Sequence, residues 1–498
     1  MKMIKNFFVK NYKVIFLLIL FFFFFSFPVL ILFDSAHYMS FVEIFERNKP
    51  FATWDIVRGP VFPMLIFLSN KLFGKTAMGL LIMCFLLYLL MIVIVGYLLK
   101  FLSDDSKKKK IFIYLCFILL VLLNPIVFGY YHTLLTEGVA ITIAILSSFL
   151  AWKFLFIEKK EKSYFIFLTI YFVVMTPFSW FLKQPYLSIV LFPLIVVAIL
   201  RLFLGKSFIH RVQILCVLLA SLFSLFVSIN LWNGFLRSKG IDLHSERNIV
   251  GGFGNQILSA LSNIRIKKTE NQEIAEIEIL NESGDVVEIS EIKKNDIGFI
   301  ATKDSVLFIL QIFFKYPLTT VKSYVSNYLA LINLYKTYTP DSINYYIESK
   351  NLVFDGCVEN CVIATSILNK KSNIYYMSED MYARVKDYEQ YLNTPPIQRG
   401  MLSLFVKPSI IVFNISFLLL PFVLISLVTY WIISKPKYGR FKQKALALSL
   451  ILLSFSFLHL IVHTVTGAII DRYAVPSYIT TILGYISFCL AFLKKEKD

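Results

Sequence analysis

Charge is what this sequence has least of. Only 16% of its 498 residues are Asp, Glu, Lys or Arg, against about a quarter in an ordinary soluble domain. The shortage excludes a typical cytosolic enzyme. The 57% hydrophobic content and mean hydropathy of +0.70 exclude a disordered chain. Cysteine is sparse too, six residues in all, of which Cys84, Cys116, Cys216 and Cys489 fall in apolar runs and read as small apolar side chains. No small-residue cleavage site follows the first apolar run, Val14 to Phe33, so that run reads as a retained membrane helix and not a signal peptide. No internal repeat is visible, and the apolar runs are almost free of ionisable residues. That freedom argues against ion-coupled transport, which needs such groups at bilayer depth.

What is present is length of apolar run. Ten stretches of about 20 residues, the length a bilayer requires, are read at 14–33, 77–99, 111–128, 138–156, 164–181, 187–204, 212–232, 409–433, 445–464 and 473–492. Pro60 to Phe73 is apolar but short, and reads as an interfacial or re-entrant helix, giving 10 or 11 in total. The predicted fold class is an all-α polytopic membrane protein with a mixed α/β extracytoplasmic segment. Residues 1–232 form an N-terminal transmembrane module with a first outer loop at 34–76. Residues 233–408 form the extracytoplasmic domain, and 409–498 the C-terminal transmembrane helices.

The formal net charge of +18 becomes informative once it is divided between the two sides. With the N-terminus inside, the inner flanks carry 24 basic and six acidic residues, the whole of the excess, and the outer segments carry 26 of each. The positive-inside rule therefore orients the chain with both termini cytoplasmic, and the excess says nothing of nucleic acid. Composition suggests a bacterial plasma membrane. Trp180 and Trp232 then fall at outer span ends and Trp152 and Trp431 at inner ends, as in interfacial belts or as simple packing.

Within the outer segment, Glu276–Leu280 and Val286–Ile289 flank a turn at Asn281–Asp285 and predict a β-hairpin. Ser305–Phe314 and Leu318–Leu334 predict two helices broken at Tyr316-Pro317. Gly251-Gly252-Phe253-Gly254 lacks a strand–helix frame and reads as a turn. Cys357 and Cys361 could form a disulfide in an oxidising exterior or stay as thiols. No His lies near them in sequence to complete a metal site. His459 and His463 share one helix face, as a hydrogen-bonded helix contact or a metal pair.

The unusual polar groups collect at outer span ends: Asp34, Arg58, Glu137, Lys183, and Asp471 with Arg472. Such a ring suits a substrate with its tail in the membrane and its head outside. A carboxylate at the rim, such as Asp34, can act as a general base, and cations there can neutralise a phosphate. Each also has a plainer reading, a solvated helix end or a snorkelling side chain.

The order and spacing of several short strings resemble the GT-C superfamily of membrane glycosyltransferases, nearest to the protein O-mannosyltransferase and lipid A aminoarabinose transferase branch. The strings are Asp34 with Tyr38, Arg58-Gly59-Pro60 leading to Phe73-Gly74, Tyr130 to Glu137, Tyr316-Pro317, and Arg472-Tyr473-Ala474-Val475-Pro476. Where the family often has a second acidic residue after the first, this chain has Ser35. The resemblance implies a GT-C-like fold. It also implies transfer of a sugar from a polyprenyl-phosphate donor to a cell-envelope glycan, lipid or protein acceptor by one inverting displacement. In it Asp34 and Glu137 are catalytic, Arg58, Lys183 and Arg472 bind the donor phosphate, and His37, Tyr38 and Tyr473 line the pocket. No cofactor is required, though a divalent cation could accompany the phosphate. Competing expectations are a surface-polysaccharide polymerase or ligase using lipid diphosphate-linked glycan, and a non-enzymatic lipid or glycan transporter.

Overall fold

The structure is a computed structural model. It describes residues 17–25, 59–74, 77–102, 124–132, 134, 136–156, 162–203, 208–240, 263–267, 274–281, 283–293, 302–332, 399–434, 441–465 and 471–493. Single positions within 38–46, 113–118 and 258–261 are also described. Helix dominates, and eight helices are long and apolar enough to cross a membrane. They match eight of the ten predicted spans. The other two, 14–33 and 111–128, fall largely outside the described residues, although 17–25 is helical.

The chain divides into two compact units. The first comprises residues 1–47, 63–142 and 337–411, and the second 48–62, 143–336 and 412–498. In the first, α1 (Val61–Phe73) is the short apolar helix expected at Pro60–Phe73. It is followed by α2 (Ala77–Leu102) and α3 (Pro125–His132). Gly74 takes φ +84° between α1 and α2, a left-handed turn that suits glycine. Ser69 Oγ donates to the Gly79 carbonyl at 3.1 Å and Asn70 Nδ2 to Glu46 at 3.2 Å, which ties the turn down. Asn124 Oδ1 accepts from the Ile126 N–H at 3.0 Å and starts α3 as an N-cap. A packed aromatic group follows: His132 lies 3.9 Å from the Phe24 ring and 4.2 Å from Phe128, and its nitrogens face the Phe128 and Phe24 carbonyls. α4 (Thr136–Phe156) begins in this unit and ends in the second.

The second unit continues with α5 (Lys162–Leu182), α6 (Leu187–Phe203) and α7 (Phe208–Ser238). After the sheet segment come α10 (Arg399–Ser434), which begins in the first unit and ends in the second, then α11 (Phe441–Val465) and α12 (Val475–Leu493). Most of these helices are apolar on every side, as expected of elements flanked by protein and lipid. Contacts between α11 and α12 are made by small hydroxyl residues: Ser449 Oγ donates to the Gly484 carbonyl at 2.9 Å, and Ser456 Oγ meets Thr480 Oγ1 at 2.8 Å. A Cβ on Gly484 would lie 2.6 Å from Leu453 Cδ2, so the two helices approach closely there. Trp152 is buried and donates to the Lys444 carbonyl at 2.9 Å, so it serves packing. Arg201 is buried as well, its guanidinium bonded to the Phe154 carbonyl.

Between α7 and α10 stands a three-stranded antiparallel sheet, β1 (Ile264–Lys267), β2 (Ile274–Leu280) and β3 (Val286–Lys293), in the order β1-β2-β3. The β2–β3 hairpin is the predicted one. Asn281 Oδ1 accepts from the Ser283 and Asp285 N–H groups, and Gly284 takes φ +87°. β1 was not expected, since four residues are too few to show a period. Alternation along β2 puts Ala275, Ile277 and Ile279 inside and Glu276 and Glu278 outside, where they meet Lys267 and Arg265. The inner face packs on α8 (Thr302–Lys315) through Phe308, Ile309 and Ile312. α9 (Pro317–Ile332) follows at the predicted Tyr316-Pro317 break. Glu288 accepts from Lys315 Nζ at 2.5 Å and from Tyr316 Oη at 3.1 Å, locking that corner to β3. The Lys315 hydrogen bond holds the Glu288 carboxyl below the usual carboxylate range, and the same bond raises the Lys315 ammonium.

Candidate functional site

Two short 3₁₀ turns, both in the second unit, carry the predicted cations. One is Gln184–Tyr186, between α5 and α6; the other is Asp471–Ala474, between α11 and α12. Both lie where helix ends meet, and Lys183 beside the first contacts Tyr473 of the second. Pro185 sits near the start of the first turn, where its missing N–H costs nothing, and the N-cap residue Lys183 is extended at φ −167°. The Lys183 N–H still closes α5 on the Ser179 carbonyl at 3.1 Å.

The Lys183 ammonium lies 4.1 Å from the centre of the Tyr473 ring and 5.7 Å from that of Tyr186. The electron-rich faces of these rings attract it, by roughly 0.5–2 kcal/mol per good contact depending on exposure to water. Tyr473 also stacks on His463, with 4.9 Å between ring centres and 24° between planes. His463 in turn lies edge-on to His459 at 4.7 Å.

His459 fastens the Asp471–Ala474 turn to the start of α6. Its Nε2 lies 3.0 Å from the Tyr473 carbonyl and its Nδ1 2.6 Å from Ser188 Oγ. A carbonyl only accepts, so Nε2 carries the hydrogen. In a neutral ring Nδ1 then accepts, and Ser188 donates to it. Ser188 Oγ also lies 2.7 Å from the Pro185 carbonyl, an alternative acceptor for its single hydrogen. Both ring nitrogens of His459 thus have polar neighbours, as a hydrogen-bonded helix contact requires, while His463 joins it through ring contacts. Among the described residues no three His, Cys, Asp or Glu side chains converge to hold an ion.

A third strand of chain reaches the same corner. A Cβ built on Gly59 would stand 1.8 Å from the Phe181 carbonyl oxygen and 2.7 Å from its Cα. Only glycine permits that approach. It brings the residue after Arg58 against the end of α5, two positions before Lys183.

The predicted site residues thus divide. Lys183 and Tyr473 are in contact, and the backbone of Arg472 lies in the same 3₁₀ turn as Tyr473, its side chain outside the described residues. Glu137 and Tyr38 belong to the first unit, and both are buried. Glu137 stands in the first turn of α4, where the helix N-terminus favours a carboxylate. Thr136 Oγ1 lies 3.4 Å from its Oε2. Asp34, His37, Arg58, Cys357 and Cys361 fall outside the described residues, as does the glycine-rich stretch 251–254. Sequence reasoning did not single out Tyr186 or Ser188. The Lys-Gln-Pro-Tyr string at 183–186 was the available signal, a proline-led turn directly after a cation.

Residues 371–492 match a family described as a protein of unknown function with HXXEE motif. The match takes in α10 to α12 and, with them, His459, His463 and Tyr473. None of the six histidines of this chain is followed at the third and fourth positions by two glutamates, so the motif that gives that family its description is not present here. No curated protein and no solved structure matches the chain.

Proposed function

We propose that this multi-pass membrane protein is a glycosyltransferase that moves a sugar from a polyprenyl-phosphate donor to an extracytoplasmic acceptor. The observation that supports the reading most is the corner at the ends of α5, α6, α11 and α12. There Lys183 lies over Tyr473, the Arg472 backbone runs in the adjoining turn, and Gly59 carries the chain next to Arg58 against Phe181. Three cation-bearing segments at one membrane face suit a lipid phosphate, whose tail stays among the helices while its charge is met at their ends.

In this mechanism the acceptor hydroxyl attacks the anomeric carbon as the bond to the phosphate oxygen breaks, with inversion. Asp34 takes the hydroxyl proton, an assistance worth about 10²–10⁴-fold. The electron pair leaves on the polyprenyl phosphate, where Arg58 and Arg472 can grip two oxygens each and Lys183 supplies a point charge. Glu137 orients the acceptor or the base. On this reading His37, Tyr38 and Tyr473 are sugar-binding residues. The protein acts in the plasma membrane with both termini cytoplasmic and its active site outside.

The test is transfer from a radiolabelled polyprenyl-phosphate sugar to cell-envelope acceptors by purified protein in detergent. Transfer is expected for the native chain. Asp34→Asn should lose it while keeping expression and thermal midpoint. Full transfer by Asp34→Asn removes the base from the mechanism. Consumption of lipid diphosphate-linked oligosaccharide alone replaces the reading with a polymerase.

A further inference from the structure

The α8–α9 hairpin has two faces, and the sheet accounts for one. Phe308, Ile309 and Ile312 close the sheet core. On the other side Leu307, Leu310 and Phe314 of α8 stand out, followed by Leu318, Val321, Val325 and Leu329 of α9. Phe314 and Leu318 at the corner are 80% and 85% exposed. Steps of three and four residues put each set on one side of its helix. Nothing in the described chain covers them. Gln311 and Lys322 stand exposed on the same faces, the lysine close enough to the corner for its long side chain to carry the charge back toward the headgroups, and an apolar surface of this size needs an occupant.

Depth identifies the occupant. Tyr328 of α9 donates its hydroxyl to the Phe417 carbonyl of α10 at 2.8 Å, and its ring lies 6.4 Å from that of Phe457 in α11. Phe417 is nine residues from the Pro408 end of its apolar span, and Phe457 is eight from the Val465 end of its own. At 1.5 Å per residue both positions lie roughly 12 Å along their spans, within a hydrocarbon core about 30 Å thick. Two separate helices therefore place Tyr328 at the same level, inside one leaflet. Around Tyr328 the surface runs on into the exposed Leu418, Leu419 and Phe422 of α10, a spanning helix that faces lipid. Two polar side chains of α9 suit a water-poor setting, while Lys322 and Ser326 are exposed. Thr320 and Ser323 are buried and donate to the Tyr316 and Thr319 carbonyls one turn back. At 16 residues α9 is about 24 Å long and cannot cross the core.

We propose that α9 and the outward side of α8 are immersed in that leaflet, with phospholipid acyl chains against the stripe from Leu307 to Leu329. The hairpin is then a non-spanning membrane anchor. Lys315 and Glu288 hold the sheet to its corner at headgroup level, and the inference does not depend on the transferase reading. A phospholipid carrying a diazirine in its acyl chain tests it on the unaltered full-length protein in nanodiscs. Photocrosslinks mapped by mass spectrometry are expected on peptides from 302–332 at yields within a few-fold of those on α10. Crosslinks on α10 with none on 302–332 overturn the proposal. In a second experiment nitroxides are attached at Val325→Cys, Ile425→Cys and Ser283→Cys in a variant with the six native cysteines replaced. Positions 325 and 425 should both favour oxygen over an aqueous nickel chelate by two-fold or more, and 283 the reverse. A label at 325 reached by nickel, or by neither reagent because residues 333–398 cover it, overturns the proposal equally.

Discussion

Inside the helical part of the second unit, most polar contacts are made by uncharged groups bonded to each other or to carbonyls, as Ser188 with His459, His459 with Tyr473 and Ser456 with Thr480; buried Arg201, bonded to the Phe154 carbonyl, is the exception. In the sheet segment they are made by ions. Lys267 pairs with Glu276, Arg265 with Glu278 and Lys315 with Glu288, each cation more than half exposed. The two regions answer different solvents. Where water is absent, an ion costs several kcal/mol to strip of its hydration and a hydroxyl far less. Where water is present, ion pairs form at little cost and contribute little, about 0–1 kcal/mol. The corner at Lys183 joins the two regimes, a cation at the end of the helices with aromatic faces in place of carboxylates.

That comparison can be broken by substitution, and the largest expected effect is at Gly59. Gly59→Ala drives a methyl into the Phe181 backbone and should cost about 4 kcal/mol or prevent folding. Gly96→Ala in α2, where a Cβ meets nothing within 4 Å, should leave stability unchanged or raise it slightly. Thermal midpoints in detergent compare the two, and equal midpoints refute the close approach. Ile277→Ala empties part of the sheet core and should cost about 2–4 kcal/mol. The loss should appear in hydrogen exchange of β1–β3 and leave α11 and α12 protected; loss in both regions at once would show that they are not separate.

His459→Leu should cost about 1–3 kcal/mol, because it leaves the Tyr473 carbonyl without its partner, while Ser188 can still donate to the Pro185 carbonyl. Exchange at the start of α6 and at the Asp471–Ala474 turn should rise together; a rise at one alone would refute the link between them. Lys183→Met removes the cation–aromatic contacts with Tyr473 and Tyr186, together worth about 1 kcal/mol, and on the proposed function should reduce donor use far more than stability.

The smallest effect is expected at Glu288. Folding lowers its pKa, so its contribution is present above the ordinary carboxylate value of about 4.3 and is lost as pH falls through the folded value. Lys315 is raised, so its contribution is present below the ordinary lysine value of about 10.4 and is lost as pH climbs through the folded one. Glu288→Gln should therefore flatten the acid limb of a sheet-stability profile and barely move it at pH 7. An unchanged acid limb would remove this ion pair from the account.

Eight spans, the short helix at 61–73, the β2–β3 hairpin and the break at Tyr316-Pro317 were all legible in the sequence. Each rests on a local property: apolar length, alternation, or a proline without an N–H. β1 was not legible because its four residues carry too little pattern. Half of the candidate corner was legible, since Lys183 and Tyr473 stand beside proline and at span ends. The other half was not. Ser188 is an ordinary serine in an apolar helix, and what makes it matter is a histidine 271 positions later.

By itself the sequence determined that this chain crosses a membrane many times, and where. A bilayer imposes a length and a composition on every crossing, and both are written residue by residue. Only the tertiary structure decided which polar groups meet at the helix ends, that Gly59 has no room for a side chain, and that α9 reaches the depth of Phe417. These are matters of distance between segments far apart in the chain, and a hydrogen bond or a steric clash acts over a few ångströms whatever the separation in sequence.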